Sequence, residues 1–570
     1  MSAIDWGVLC ATLLFIVSYG IWKSRGTKNI EGFLLADKQL PWYHVGLSVM
    51  ATQASAITFI SAPGQAYTDG LRFIQFYFGL PLAMVVLCIT FIPIFQRLNV
   101  FTAYEYLEKR FDSRTRALTA FLFLLQRGLS TGITIYAPSI ILSAILHIDI
   151  VYTTVLVGIL VISYTVYGGT KAVSYTQLFQ MSIIFTGLFM AAYMVVHLLP
   201  TEVGFSEALH IAGKMGKLNA IDTHFDWNNR YTLWSGLIGG FFLQLSYFGT
   251  DQSQVGRYLT GKSISESRLG LLMNGMVKIP MQFLILLIGT LVFTFYQYHT
   301  PPLFFNQVEV EKMVNSPFRT QYQELEKEYE TAQLEKREKV SRLVHVLHKE
   351  QALAVDEARA QVQAEEKKVL AIRKKATSLM AQHNGKADTN DSNYVFLSFV
   401  THYFPKGMVG LLVAIIFLAS MGSTASGLNS LASTTVVDFY KRYVAKEAGD
   451  GNYLLVSRLS TLGWGIFCII VALYAHKLGN LIEAVNILGS LFYGTILGIF
   501  LVAFYMKHVE SRAIFYAAIV AEACVVAVWW NDVMAFLWLN VVGCGLVMGL
   551  AQLFQVISPL GGHDLGKEKS

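Results

Sequence analysis

Met50-Ala51-Thr52-Gln53-Ala54-Ser55-Ala56-Ile57-Thr58, followed by Pro63 and Gly64, interrupts an apolar run that extends from His44 to Tyr67. A continuous helix facing lipid has no use for such a string of small and polar residues. Polar backbone at membrane depth survives where it lines a protein-enclosed cavity, and a helix broken there leaves carbonyls free to coordinate an alkali cation. A second interruption, Tyr247-Phe-Gly-Thr-Asp-Gln-Ser-Gln-Val-Gly256, falls in the sixth span counted from the one that holds Ala51. Two broken helices, each opening a group of five spans, enter from opposite faces because five is odd. That is the pattern of an inverted repeat.

The rest of the chain agrees with a lipid solvent. Its 570 residues are 54% hydrophobic and only 14% charged, far from the average soluble domain. The apolar residues gather into runs of roughly 18 to 25, the length a helix needs to cross about 30 Å of hydrocarbon. About thirteen such runs begin near Ile4, His44, Phe73, Ala117, Val151, Thr176, Tyr231, Gly270, Gly407, Leu454, Leu481, Ile514 and Val533, so the fold class is an all-α integral membrane protein. The first run lacks a basic lead and a cleavage site and is expected to be a retained anchor. Basic residues mark alternate loops: Lys23 to Lys38, Arg97 to Arg116, Lys171, Arg257 to Arg268, Lys441 to Lys446 and Lys507 to Arg512. By the positive-inside rule these face the cytoplasm of a multi-pass cell-membrane protein, with the N-terminus outside and the tail carrying Lys567 and Lys569 inside.

The net charge of +6 is therefore a matter of topology, and no basic cluster interleaved with aromatics points to nucleic acid. The five cysteines, Cys10, Cys88, Cys468, Cys524 and Cys544, all sit in apolar spans without metal-ligand spacing. No phosphate-cradling glycine loop, helical HExxH or serine elbow is present, so nothing suggests an enzyme or an ATP-driven pump. Residues 317–384 are densely charged and rich in helix formers, and only Gly385 breaks the pattern at their end. They predict a long soluble helical insert whose apolar positions Leu343, Val346 and Leu347 suit a coiled coil or a folded-back hairpin. It is either a solvated decoration or a docking arm for a partner or a second copy of the chain.

The domain organisation that follows is 1–43 for an extra span and its cytoplasmic loop, 44–199 for the first repeat and 200–230 for an outer loop. Residues 231–299 and 392–506 form the second repeat, split by the charged insert at 300–391 on the outer side, and 507–570 add two more spans and the tail. In the eighth span of the same count lies Ala419-Ser-Met-Gly-Ser-Thr-Ala-Ser426, with hydroxyls clustered along a helix. Hydroxyls and main-chain carbonyls make a neutral oxygen cage suited to a monovalent ion, although serine clusters also serve as helix-packing glue.

These residues resemble the sodium:solute symporters, the family of sugar, proline, sialic acid, iodide, vitamin and monocarboxylate carriers, over nearly the whole chain except the insert. The marks are Phe101-Thr-Ala-Tyr-Glu-Tyr-Leu-Glu-Lys-Arg-Phe111, Gly132-Ile-Thr-Ile-Tyr-Ala-Pro138, Tyr167-Gly-Gly-Thr-Lys-Ala-Val173, Gly249-Thr-Asp-Gln-Ser-Gln-Val-Gly-Arg-Tyr-Leu259, and Leu428-Asn-Ser430 running to Asp438-Phe-Tyr440. The iodide, monocarboxylate and vitamin branch is most similar. The resemblance implies the leucine-transporter fold, alternating access around a midmembrane site, and sodium-coupled symport of a small solute across the bilayer. It places the sodium on the main-chain carbonyls of Ala51, Ala54 and Ala419 and the hydroxyl of Ser423. The fifth ligand, a hydroxyl in many members, falls on Gly422; either it is missing or Thr424 replaces it with the helix shifted by one residue, Ser420 then giving the carbonyl. Many members carry Thr-Asp-x-x-Gln where this chain has Thr176-Gln-Leu-Phe-Gln180, and a companion serine aligns with Ala425. The expectation is a single coupled Na+.

Three intramembrane ionisable residues, Arg127, Asp251 and Lys278, are expected at similar depth, either as solute contacts or as an inner-gate network in which Asp251 compensates a cation. Where the sugar carriers hold a glutamate and a glutamine for the sugar, this chain has Tyr77 and Thr58. Arg127, Lys278 and the hydroxyls of Ser55 and Thr58 suit a carboxylate or other anion. Gln53, Gln75, Phe73, Tyr77 and Tyr247 are further candidates for the cavity wall. A sodium-coupled sugar or sialic acid symporter is the alternative. A transporter-like sensor or scaffold acting through the insert is another.

Overall fold

The computed structural model describes residues 1–24, 38–98, 100–200, 203–348, 352–385 and 387–557. Most of the basic stretch between Lys23 and Lys38, the side chains of residues 167–172 and the tail with Lys567 and Lys569 lie outside the described residues. Among those described, the regular structure is helical apart from one isolated bridge between Leu40 and Gly261.

The helices run α1 (Ala3–Ser24), α2 (Trp42–Gln53), α3 (Ala56–Asp69), α4 (Leu80–Ile89), α5 (Phe91–Leu98), α6 (Glu105–Arg110), α7 (Ser113–Leu146), α8 (Ile150–His197) and α9 (Phe205–Lys214). There follow α10 (Gly240–Thr250), α11 (Gln252–Tyr258), α12 (Ile264–Tyr298), α13 (Gln307–Val314), α14 (Arg319–His348), α15 (Ala352–His383) and α16 (Val395–Tyr403). The last are α17 (Met408–Thr434), α18 (Asp450–Tyr474), α19 (Leu481–Tyr505), α20 (Ser511–Trp530) and α21 (Phe536–Ile557). Among the described residues, ten helical stretches are long and apolar enough to cross a membrane. The sequence predicts about thirteen, and the difference has physical causes. Both halves of the helix broken at Asp251 and the first half of the one broken at Ala54 are too short to qualify, and the second half of the latter is counted together with the run expected from Phe73 as the single stretch Ala56–Leu98. The runs expected from Val151 and Thr176 join into the single 48-residue helix α8. Within the stretch Ala56–Leu98, Gly70–Tyr77 coils as a 3-10 turn between α3 and α4. That turn needs Gly70, whose φ is +72° and whose missing Cβ leaves room for the Lys217 carbonyl.

Side-chain caps set several boundaries. Asp112 accepts from Thr115 N at the start of α7 (2.8 Å), Asp251 from Ser253 N at α11 (2.8 Å) and Asn480 from Ile482 N at α19 (3.0 Å). Each satisfies an amide with no partner inside the helix. Asp5 of α1 does the same at long range, accepting from Gly407 N (2.6 Å) and Gly410 N (3.1 Å) at the start of α17.

The main core is buried between α2, α3, α7, α8, α10, α12, α17 and α19. The charged segment forms two helices, α14 and α15, packed on one another through Tyr322, Tyr329, Val369, Ile372 and Met380 and, further along, through Val340, Leu343, Val355 and Val362. Of the expected seam, Leu343 is fully buried and Val346 packs beside it; the Leu347 side chain lies outside the described residues. Cross-helix ion pairs join Lys336 to Glu366 and Lys375 to Glu328 (3.2 Å).

Candidate cation and solute site

The α2–α3 break is where backbone oxygens come free. Ala54 leaves helical geometry at φ −79°, ψ 79°, and Ser55 is extended at φ −83°, ψ 171°. In an unbroken helix Ser55 N would donate to Ala51 O and Thr58 N to Ala54 O. Here Ser55 N turns to Gln53 O and Thr58 N to Ser55 O, both at 3.0 Å. The Ala51 and Ala54 carbonyls thus lose their helical donors in a buried setting, where an oxygen without a donor suits a cation.

Opposite lies α17. The Ser423 hydroxyl donates to Ala419 O at 2.9 Å, so this oxygen pair from the sequence reading is together on one face. Thr424 faces away: its hydroxyl meets that of Thr134 on α7 at 3.0 Å, and Ser420 Oγ donates to Thr134 O at 3.0 Å. The shifted alternative, with Thr424 as ligand, therefore has the wrong helix face. At Gly422 an added Cβ would lie 2.6 Å from Gln180 Oε1 of α8. Gln180 is fully buried, and neither its oxygen nor its nitrogen has a hydrogen-bond partner. An amide in that condition is costly unless something binds it. Gln180 was visible in the sequence as part of a departing motif, yet only its approach to the glycine-made gap marks it as a candidate ligand.

Gln177, at the position where the family resemblance leads one to expect an acid, is fully committed. Its Nε2 donates to Ser426 Oγ (3.1 Å), Thr52 Oγ1 (3.3 Å) and Gly422 O (3.4 Å), and its Oε1 accepts from Ser48 Oγ (2.6 Å). Ser426 Oγ and Thr52 Oγ1 are also 3.1 Å apart. A donor nitrogen occupies the centre of this oxygen cluster.

Beside the break is a cavity of about 100 Å³, lined by Gln53, Ser55, Thr58, Tyr77, Arg127 and Tyr247 among others. Among the described residues, no carboxylate lines it. Arg127 Nε, Gln53 Oε1 and both polar atoms of Gln244 are buried without partners. Four residues expected at the solute or in the cavity wall fall elsewhere. Phe73 packs behind the wall against Phe76 and Tyr231. Asp251 sits behind Arg127, 3.6 Å from its guanidinium, and accepts from Tyr493 OH (2.9 Å) and Ser253 Oγ (2.6 Å). It is thus a countercharge, the other of the two roles foreseen. Lys278 is fully buried 5.9 Å from the Tyr77 ring centre, one layer behind the cavity, so the three charges do not meet. Gln75 braces the Tyr231 carbonyl (3.0 Å) and Asp222 N (2.9 Å) instead of lining the cavity. The sequence reading missed Gln244, Asn486 and Tyr493 in the wall. Their signal was a polar group within an apolar run, the same signal that singled out Arg127.

The motif around Phe101 is a brace for this arrangement. Tyr104 OH donates to Thr250 O (2.9 Å) and Gln252 Nε2 to Phe101 O (2.9 Å), pinning the second helix break. Thr102 and Arg116 both donate to Asp438 (2.9 and 2.8 Å).

A membrane-embedded helical bundle with two broken helices around a buried oxygen cluster and a small cavity has the form of a solute carrier. The sodium:solute symporter family profile matches residues 33–310 and 374–521, and the chain belongs to that family. The match omits most of α14 and α15. The chain is 33% identical to the human sodium/iodide cotransporter over 276 residues, 48% of this chain and 42% of that protein. It is 25% identical to the rabbit sodium-dependent multivitamin transporter over 506 residues, 88% of this chain and 66% of that one. These alignments thus cover less than two thirds of either relative's length. The fold is that of a solved substrate-bound, outward-open Na+-coupled sialic acid symporter, with a TM-score of 0.74 at 23% identity and 98% coverage of both chains.

Proposed function

We propose that the protein is a sodium-coupled symporter of a small monoanion, a short monocarboxylate or a solute of similar size and charge, working by alternating access. The observation that carries the solute class is the cavity itself. At about 100 Å³ it is smaller than a void of about 150 Å³ that holds benzene, which favours a few-atom solute over a hexose or a vitamin. Its wall holds the Arg127 guanidinium, whose Nε is free and whose countercharge Asp251 sits behind it at 3.6 Å and outside the lining, an arrangement that leaves a donor for charge-assisted binding of an anion.

In this reading the architecture is the leucine-transporter fold: thirteen spans, with two inverted five-helix repeats at 44–199 and at 231–299 plus 392–506, and α14 and α15 as an extramembrane hairpin on the outer side. The N-terminus is outside and the tail cytoplasmic. Sodium is held by the Ala51, Ala54 and Ala419 carbonyls and Ser423 Oγ, with Gln180 Oε1 reaching through the gap at Gly422 as the fifth oxygen. Ser55 and Thr58, just past the same break, line the solute cavity, so ion and anion organise one strip of backbone. Because an amide donor fills the cluster at Gln177, one sodium moves per cycle.

Purified protein in proteoliposomes tests this. An inward sodium gradient is expected to accelerate uptake of labelled short monocarboxylates or iodide over glucose, and Ser423→Ala to abolish the acceleration. Glucose uptake exceeding that of every anion overturns the solute class. Uptake indifferent to sodium overturns the coupling.

A further inference from the structure

A second cavity of about 380 Å³ lies where α14 and α15 meet the body of the protein, walled by Tyr67, Lys217, Phe293, Lys336, Leu370 and Val395 among others. Its charges do not balance. Lys217, Lys336, Lys367 and Arg373 face it, against Glu366 and Asp391. Both acids are committed, Glu366 to Lys336 and Asp391 to Arg373 (2.6 Å) and to Phe305 N (2.8 Å). Lys217 has no ion-pair partner among the described residues. It donates to the Thr68 carbonyl, and its ammonium lies 4.5 Å from the Phe293 ring centre. Burial pushes its pKa down, with Glu366 and Asp69 offsetting this only in part and Lys336 adding to it, a cost that a bound anion would relieve. The lining also holds apolar groups, Leu370 and Val395 with the aromatic rings of Tyr67 and Phe293.

We infer that this cavity is an outer binding site for an aromatic or similarly bulky organic monoanion, its carboxylate held by Lys217 and its apolar body seated between Phe293 and Leu370. The site is separate from the inner cavity and does not rest on sodium coupling. Its volume admits a ligand larger than benzene, which fills a void of about 150 Å³, whereas the inner cavity does not. The site also adjoins the bonds that tie α3 to α19. Asp391 precedes Ser392, whose hydroxyl is 3.5 Å from Asn480 Nδ2, and that amide in turn donates to Gln65 Oε1 at 2.8 Å.

Full-length protein in detergent, in sodium-free choline sulfate, is titrated calorimetrically with benzoate. Saturable binding is expected without sodium, weakened about tenfold or more by Lys217→Gln through loss of a charge-assisted bond. Leu370→Glu, which puts a carboxylate at the cavity rim on a residue 54% exposed, is expected to weaken it similarly while leaving the gel-filtration profile unchanged. This variant decides the matter if Lys217→Gln fails to fold. Ser423→Ala is expected to leave benzoate binding intact. No saturable binding, or an affinity that Leu370→Glu leaves unaltered, overturns the inference. So does binding that needs sodium and is lost in Ser423→Ala, which assigns benzoate to the inner cavity.

Discussion

Replacing Gln180 by leucine is expected to move two measurements in opposite directions. In the absence of sodium the parent buries an amide whose two polar atoms have no partner, and each such group costs about 1–3 kcal/mol. Leucine fills similar space without that penalty, so Gln180→Leu should melt higher than the parent in sodium-free buffer. The same change removes the proposed cation ligand. A polar contact to a charge is worth about 1.5–3 kcal/mol, so sodium affinity should fall about 10- to 150-fold. The assay is thermal unfolding followed by tryptophan fluorescence across a sodium series, which reads the sodium-free stability and the affinity from one data set. The geometry at Gly422 adds a rescue. An added Cβ there conflicts only with the tip of Gln180, at 2.6 Å, the next atoms being at 3.6 and 3.8 Å. Gln180→Ala combined with Gly422→Ser should therefore accept the hydroxyl and recover much of the affinity that Gln180→Ala alone loses. A Gln180→Leu protein whose sodium affinity stays within about twofold of the parent, or a double variant no better than Gln180→Ala, refutes the ligand assignment. A misfolded variant does not mimic the expected pattern, because misfolding lowers the sodium-free melting temperature.

Three further outcomes follow from the same geometry. Asp251→Ala strips Arg127 of its countercharge 3.6 Å away and should destabilise the protein by about 3–5 kcal/mol; adding Arg127→Met should return part of the lost melting temperature, and no recovery would argue against the pairing. Gln177→Asp with Ala425→Ser replaces a donor by acceptors and should raise the charge moved per solute by one, measured as current on a solid-supported membrane; an unchanged charge-to-solute ratio would count against the committed amide as the reason for a single ion. Burial pushes the Asp388 carboxyl up to about 7 from 3.8, with Glu309 and Asp391 adding repulsion. The folded state thus holds a proton that the unfolded chain releases, and stability falls as pH rises from about 4 to 7, by up to about 1.4 kcal/mol per pH unit. Asp388→Asn should raise the melting temperature at pH 8 and leave it unchanged at pH 4; equal shifts at both would rule out titration as the cause.

The helix breaks were legible because membrane depth makes polar residues conspicuous, and Ala51 to Thr58 and Gly249 to Gly256 stand out on that ground alone. Arg127 was legible for the same reason. What the sequence withheld was direction. Asp251 and Lys278 carry the same signal as Arg127, yet one lies behind it as a countercharge and the other a layer beyond Tyr77, because the face a span presents depends on its neighbours. Thr424 and Ser423 are adjacent, but the roughly 100° between successive helical residues sends one toward α7 and leaves the other beside Ala419 O. Gln180 was hidden by a different rule: its proposed role depends on an absent side chain at Gly422, more than two hundred positions away.

The proposed limit of one sodium per cycle, set by the amide at Gln177, has a consequence for energy supply. A carrier that moves one sodium with one monoanion transfers no net charge, so the membrane potential, worth about 2.3 kcal/mol per elementary charge at 100 mV, contributes nothing to accumulation. The solute ratio such a protein can sustain then equals the sodium ratio across the membrane and no more. Uptake would persist in a depolarised cell, and loading would stop once the solute ratio matched the sodium ratio, however negative the interior.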